Sequence, residues 1–262
     1  MFYGSSILLY HQVRVLKGGL CALDVKPSID IPTEAEAVQQ HSSPLINSNN
    51  MIHQLVRAYL FRRLDDMPLD FVDVSDDIDK YKHGLRPILF FGMFFEGLAS
   101  FFLARQTNDS EQRTRWIGKG DKMLIKMRFW SKHSMWNWES KVALLEAERM
   151  YTVGNFNQAS YSYERAIRVA HEHKFINDEA IASELAGVFF CNQGLRVAAE
   201  ALLLHSVQSY KTWGAIAVAR RVETYTANKY GLDSMQSPNS FILARIFASG
   251  GDSSSSKKRQ GD

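Results

Sequence analysis

Apolar residues recur along most of this chain at steps of three and four, the spacing of a helix that buries one face. Ile52, Leu55, Val56, Tyr59 and Leu60 form one such stripe and predict a helix from Met51 to about Leu64, with Arg57, Arg62 and Arg63 turned to solvent. Positions 88–105 are apolar nearly all round and follow Pro87, a favourable first-turn residue, so they predict a central buried helix. Asn108, Asp109 and Ser110 then offer capping oxygens, and Gln112 stands three residues after Asp109. A helix over 111–131 should follow, with Trp116, Met123, Met127 and Trp130 on one side and Lys119, Lys122, Lys126 and Arg128 toward water. The stretch 131–138 reads as a turn whose tryptophans, Trp136 and Trp138, wedge against neighbouring helices.

The pattern then occurs twice. In the first copy Ala147, Met150, Gly154, Ala159, Tyr163 and Ala166 alternate small, bulky and turn-forming residues; Gly187, Phe190, Gly194, Ala199, Leu203 and Ser206 repeat that order 40 positions later. Small residues let helices approach, bulky ones interlock, and Gly154-Asn155 tolerates the positive φ of a turn. The reading is one hairpin of helices over 140–153 and 156–170. A second covers 179–193 and 196–212, with Asn177 or Asp178 as cap, and a final helix near 215–228 closes the stack.

The remaining stretches carry weaker signals. Residues 1–23 predict an N-terminal helix over 3–17, and its abrupt start suggests a piece of something longer. Residues 24–50, with Pro27, Pro32, Pro44 and a run of Asn, read as a loop or connector. Residues 65–79 hold seven aspartates but lack the glycine and closing glutamate of a calcium loop, which leaves a solvated loop. Residues 51–228 are read as the helical repeat domain, and 229–262 as an extension ending in a disordered Ser-rich, basic tail.

The first copy resembles the tetratricopeptide repeat at Ala147, Gly154, Phe156, Ala159, Tyr163 and Ala166, with Met150 replacing an aromatic and no terminal proline. Its period exceeds the usual repeat of about 34 residues. The resemblance implies an all-α fold of tetratricopeptide-like antiparallel hairpins, an α-solenoid. Beyond the motif, residues 85–228 look like the helical region of large multidomain signalling ATPases. Phe94-Phe-Glu-Gly-Leu, Leu145-Glu-Ala-Glu, Tyr163-Glu-Arg-Ala-Ile and Tyr210-Lys-Thr-Trp-Gly-Ala carry that likeness. In that family a kinase-like domain and a P-loop ATPase precede the helical region, and sensor and histidine-kinase domains often follow it. Its catalytic motifs do not carry over, because no Gly-x-x-x-x-Gly-Lys-Ser/Thr, His-Arg-Asp or Asp-Phe-Gly stands in this sequence.

Composition narrows the function. A net charge of +3 gives no support for a general nucleic-acid surface. The two cysteines, Cys21 and Cys191, belong to no Cys-x-x-Cys pair and fit a reducing, cytoplasmic setting. The run 88–104 reaches only the lower length limit for a bilayer span and holds Glu96, so no membrane insertion is expected. His171 and His173 flank Glu172 on different helix faces and make a poor metal pair. No catalytic residue, cofactor or metal is expected. The predicted role is a non-catalytic module that binds a protein, a peptide or neighbouring domains of a signalling protein. Glu146, Arg149, Asn192 and Gln193 are the candidate contact positions on the inner helices. The rivals are a small-molecule sensor with a pocket lined by Trp130, Trp136 and Trp138, and a helical enzyme without a readable motif.

Overall fold

The computed structural model describes residues 15–17, 44–66 and 87–230. The N-terminal helix over 3–17 (apart from 15–17), Cys21, the acidic stretch beyond Asp66 and the tail past residue 230 lie outside the described residues. The described residues are all-α. Eight helices are α1 (Pro44–Leu60), α2 (Pro87–Gln106), α3 (Ser110–Ser131), α4 (Met135–Thr152), α5 (Phe156–Glu172), α6 (Ile176–Asn192), α7 (Arg196–Trp213) and α8 (Ile216–Tyr230), and a 3-10 turn spans Leu64–Asp66.

Three helices differ from their expected starts. α1 begins at Pro44, inside the stretch read as a connector, because proline's fixed φ suits a first helical turn and the missing N–H costs nothing there. α4 begins at Met135, so Trp136 and Trp138 lie in its first turn rather than in a loop. α6 begins at Ile176, and Asp178 is a buried helical residue rather than a cap. Its carboxylate finds partners on α4: Ser140 Oγ donates to it at 2.8 Å and Lys141 Nζ at 2.6 Å. The cap predicted at Asp109 is present, its Oδ1 accepting from the backbone N–H of Glu111 and Gln112.

The turns repeat more regularly than the side chains do. Gly154, Lys174, Gly194 and Gly214 all have φ between 62 and 89°, and they stand at equal steps of 20 residues. Each is followed by the same six-residue closure: Asn155, Phe175, Leu195 and Ala215 donate their N–H to Met150, Ala170, Phe190 and Tyr210 carbonyls at 2.9 Å. The 40-residue repeat is therefore two half-repeats, each one helix and one turn. Five residues past each left-handed position the chain places Ala159, Glu179, Ala199 and Ala219, all buried.

Every helix from α2 onward packs against the next, and α2, α4 and α6 also touch in sequence to form an inner row. Small residues set these approaches. A Cβ on Gly187 would lie 2.7 Å from Leu203 Cγ, and one on Gly97 would lie 2.8 Å from Leu145 Cδ2. α3 runs opposite to α2, with Phe90 against Trp130 at one end and Phe101 against Gly120 toward the other. α1 runs in the same direction as α2: Ile52 lies over Gly92, Tyr59 meets Phe95 edge-on at 5.6 Å, and Arg62 reaches the Phe102 ring. One apolar cluster continues from Ile52 to Val222. The window 88–106 is long and apolar enough to cross a membrane, but 67% of it is buried among the other helices. Glu96 within it is fully buried.

Candidate protein-binding surface

Two buried carboxylates organise the inner row. Glu148 on α4 receives Arg105 Nη2 of α2 at 2.5 Å and the hydroxyl of Tyr163 on α5. Arg105 Nη1 also donates to Thr152 Oγ1 at 2.8 Å, and its guanidinium lies 4.5 Å from the Tyr151 ring centre. Arg113 of α3 donates to the Thr152 carbonyl at 2.7 Å. Burial acts to lower the Arg105 pKa, but the charge and hydrogen bond of Glu148 together with the nearby Tyr163 and Tyr59 phenols outweigh it and hold the guanidinium more firmly protonated. Burial and the Glu148 charge together push the Tyr163 phenol well up.

Glu184 on α6 is the second centre. Its Oε1 accepts from Arg62 Nη2 at 2.6 Å and Arg221 Nη2 at 2.7 Å, and its Oε2 accepts from the Tyr210 hydroxyl at 2.8 Å. It thus ties the turn after α1, 122 residues away, to α7 and α8. Burial would raise its pKa, but the Arg221 and Arg62 charges overcome that and lower it to about 2. Arg62 holds a left-handed φ of 56° and lies 4.8 Å from the Tyr59 ring centre. Tyr59 titrates far above the ordinary phenol range, chiefly because it is buried.

A third polar group lies between α5, α6 and α7. Glu179 Oε1 hydrogen-bonds His171 Nδ1 at 3.1 Å and His205 Nε2 at 2.7 Å. Burial acts to raise the Glu179 pKa, and the two imidazole contacts reverse the direction. Among the described residues no group of three or more His, Cys, Asp or Glu is placed to hold a metal ion.

The four residues predicted as partner contacts go to two places. Glu146 faces α3 and α5, accepting from Arg128 at 2.8 and 3.0 Å and from Arg165 at 3.3 Å. Arg149 faces α3 and donates to Asp121 at 2.6 Å. Asn192 donates to the Tyr151 hydroxyl at 2.9 Å, and Gln193 caps the C-terminus of α6. The first two therefore sit in helix–helix seams and the last two at a turn. The three tryptophans also separate: Trp130 and Trp138 meet around Phe90, while Trp136 is exposed and stacks on His173 at 4.0 Å. Sequence reasoning missed Arg62 and Glu184, since nothing local in either segment announces a partner in the other. Large apolar side chains do remain in water, with Val153 and Phe156 at the α4–α5 turn and Leu195 and Val197 at the equivalent α6–α7 turn.

Comparisons with known proteins find no family model, no curated protein and no solved structure that matches this chain.

Proposed function

We propose that this chain is a tetratricopeptide-like helical module that holds a protein partner or couples neighbouring domains, without chemistry of its own. By its sequence resemblance, the setting is a cytoplasmic signalling ATPase or kinase. One observation carries the reading most: left-handed turns at equal 20-residue steps reverse the chain between helices that each pack on the next. That arrangement is how solenoid repeats build an extended surface from local contacts. The buried carboxylates support it too, because each is saturated by arginine and tyrosine donors that join helices. The apolar side chains at the two equivalent turns, Val153, Phe156, Leu195 and Val197, are the docking edge.

Titrating the purified chain calorimetrically against separately expressed ATPase, kinase and histidine-kinase domains tests this. Saturable binding to at least one is expected, weakened by Phe156→Ser with Val197→Ser. Binding to none of them ends the coupling role. Substrate turnover abolished by changing a single histidine or acidic residue would replace the module with an enzyme. The sensor reading draws on the Phe90, Trp130 and Trp138 ring cluster. Tryptophan fluorescence titration with metabolites tests it, and a saturable response at micromolar ligand would favour it.

A further inference from the structure

The two ends of the helix stack expose different surfaces. α4 runs from the α3–α4 turn to the turn at Val153, and its 18 residues set these ends about 27 Å apart. The Val153 end carries the docking edge. At the other end Ile125, Phe129, Met135 and Trp136 are between 58 and 65% exposed. Single apolar residues in water need no explanation, but a group of this size around one turn does. Steps of three and four put Lys122, Ile125 and Phe129 on one outer face of α3, and Lys132 follows as its C-cap. None of residues 131–139 is buried, so the turn projects from the stack instead of lining a cleft. Trp136 is fixed in this outward position. Its ring stacks on His173 at 4.0 Å, and His173 Nδ1 donates to its carbonyl at 2.8 Å. That contact brings the α5–α6 turn, with Lys174, alongside.

The charge at this end is one-sided. Its carboxylates are engaged: Glu139 with Arg165, Glu172 with Arg168, Asp178 with Lys141, and Glu179 with His171 and His205. Lys132 and Lys174 are exposed and pair with no carboxylate among the described residues. His133 lies between them and the Phe129 ring, 5.2 Å from its centre. An acidic peptide would satisfy the lysines but leave the four apolar side chains in water. A bilayer surface satisfies both, since aromatic side chains settle at headgroup depth and ammonium groups meet anionic lipids.

We propose that the α3–α4 turn docks this chain on the surface of an anionic phospholipid bilayer. Phe129, Met135 and Trp136 enter the headgroup region, and Lys132 and Lys174 contact the lipid phosphates and carboxylates. Nothing spans: the long apolar helix α2 stays packed in the core. The docking edge at Val153 and Val197 then faces away from the membrane, toward partners in solution. The proposal goes beyond the module reading and can fail separately from it, because its residues leave that edge untouched.

Sedimentation of the full chain with sucrose-loaded vesicles tests it. Vesicles of phosphatidylcholine mixed with phosphatidylserine should carry the chain down, and phosphatidylcholine alone should not. Raising the salt should release it. Lys132→Gln with Lys174→Gln should weaken binding roughly tenfold or more. Phe129→Ser with Met135→Ser should weaken it as well; both pairs are checked for helicity by circular dichroism. Tryptophan emission should shift to the blue on binding, and Trp136→Phe should abolish that shift while sedimentation persists. No sedimentation with the mixed vesicles overturns the proposal, and so does equal binding to neutral ones. Undiminished binding in either folded double variant, or a blue shift kept in Trp136→Phe, also overturns it. Binding that vanishes when only Lys257, Lys258 and Arg259 become glutamine belongs to the tail and overturns it too. A glutamate-rich peptide that shifts the emission where vesicles do not puts an acidic protein segment in place of the lipid. Vesicle binding beside a failed domain titration sinks the coupling role and leaves this surface standing.

Discussion

Lys174 is the one residue among the four equally spaced turns that is not glycine, and it holds φ 62° against the preference of any residue with a Cβ. Lys174→Gly should stabilise the chain by roughly 0.5–1 kcal/mol, and Gly194→Ala should destabilise it by about 1 kcal/mol or more, as read by urea denaturation. Burial separates two other residues of similar appearance. Glu148 is 1% exposed and paired to Arg105, so Glu148→Ala should cost about 3–5 kcal/mol by stranding that guanidinium. Arg149 is paired to Asp121 across a seam where both are about a third exposed, so Arg149→Ala should cost no more than about 1 kcal/mol. If Arg149→Ala instead abolished partner binding with stability intact, that residue would return as a contact.

At the scale of helices, side-chain size governs how closely the chain can fold back. Gly187→Ala would bring a methyl within 2.7 Å of Leu203 Cγ and 3.2 Å of its backbone nitrogen, in the seam of α6 and α7. A loss of about 1–3 kcal/mol is expected, and a compensating Leu203→Val should recover part of it. This seam was legible in the sequence, because Gly187 and Ala147 occupy equivalent positions and both are small. So were the turns at Gly154 and Gly194, where glycine marks a backbone need directly. The turn at Lys174 was not legible as left-handed, since lysine gives no such signal and its conformation is imposed by the helices on either side. The start of α1 was hidden because Pro44 serves a first helical turn as well as a loop. Glu146 and Arg149 were recognisable as polar inner-helix positions, but which side of α4 they face depends on where α3 packs. Arg62 with Glu184 lay furthest beyond reach, since their meeting is set by the path of the whole chain.

For the molecule as a whole, the buried carboxylates tie stability to acidity. Glu184 has a folded pKa of about 2 against an ordinary 4.5. A depressed carboxyl contributes stability that is complete above the unfolded value and is lost as the pH falls through the folded one. Unfolding free energy should therefore be nearly flat from pH 7 to about 5 and fall between about 4.5 and 2, with Glu184 accounting for about 3 kcal/mol of the drop. Glu179, also depressed, adds in the same direction. Glu184→Gln should flatten that limb, and an unchanged slope would remove Glu184 from the account. The equal spacing of the left-handed positions has one last consequence. Each 20-residue step between 154 and 214 sends the backbone the opposite way, so this segment is a ruler marked in pairs. A tandem duplication of 40 residues within 155–214 preserves the heading of everything downstream and lengthens the ruler by one mark. Half that insertion would point α8 toward the other end.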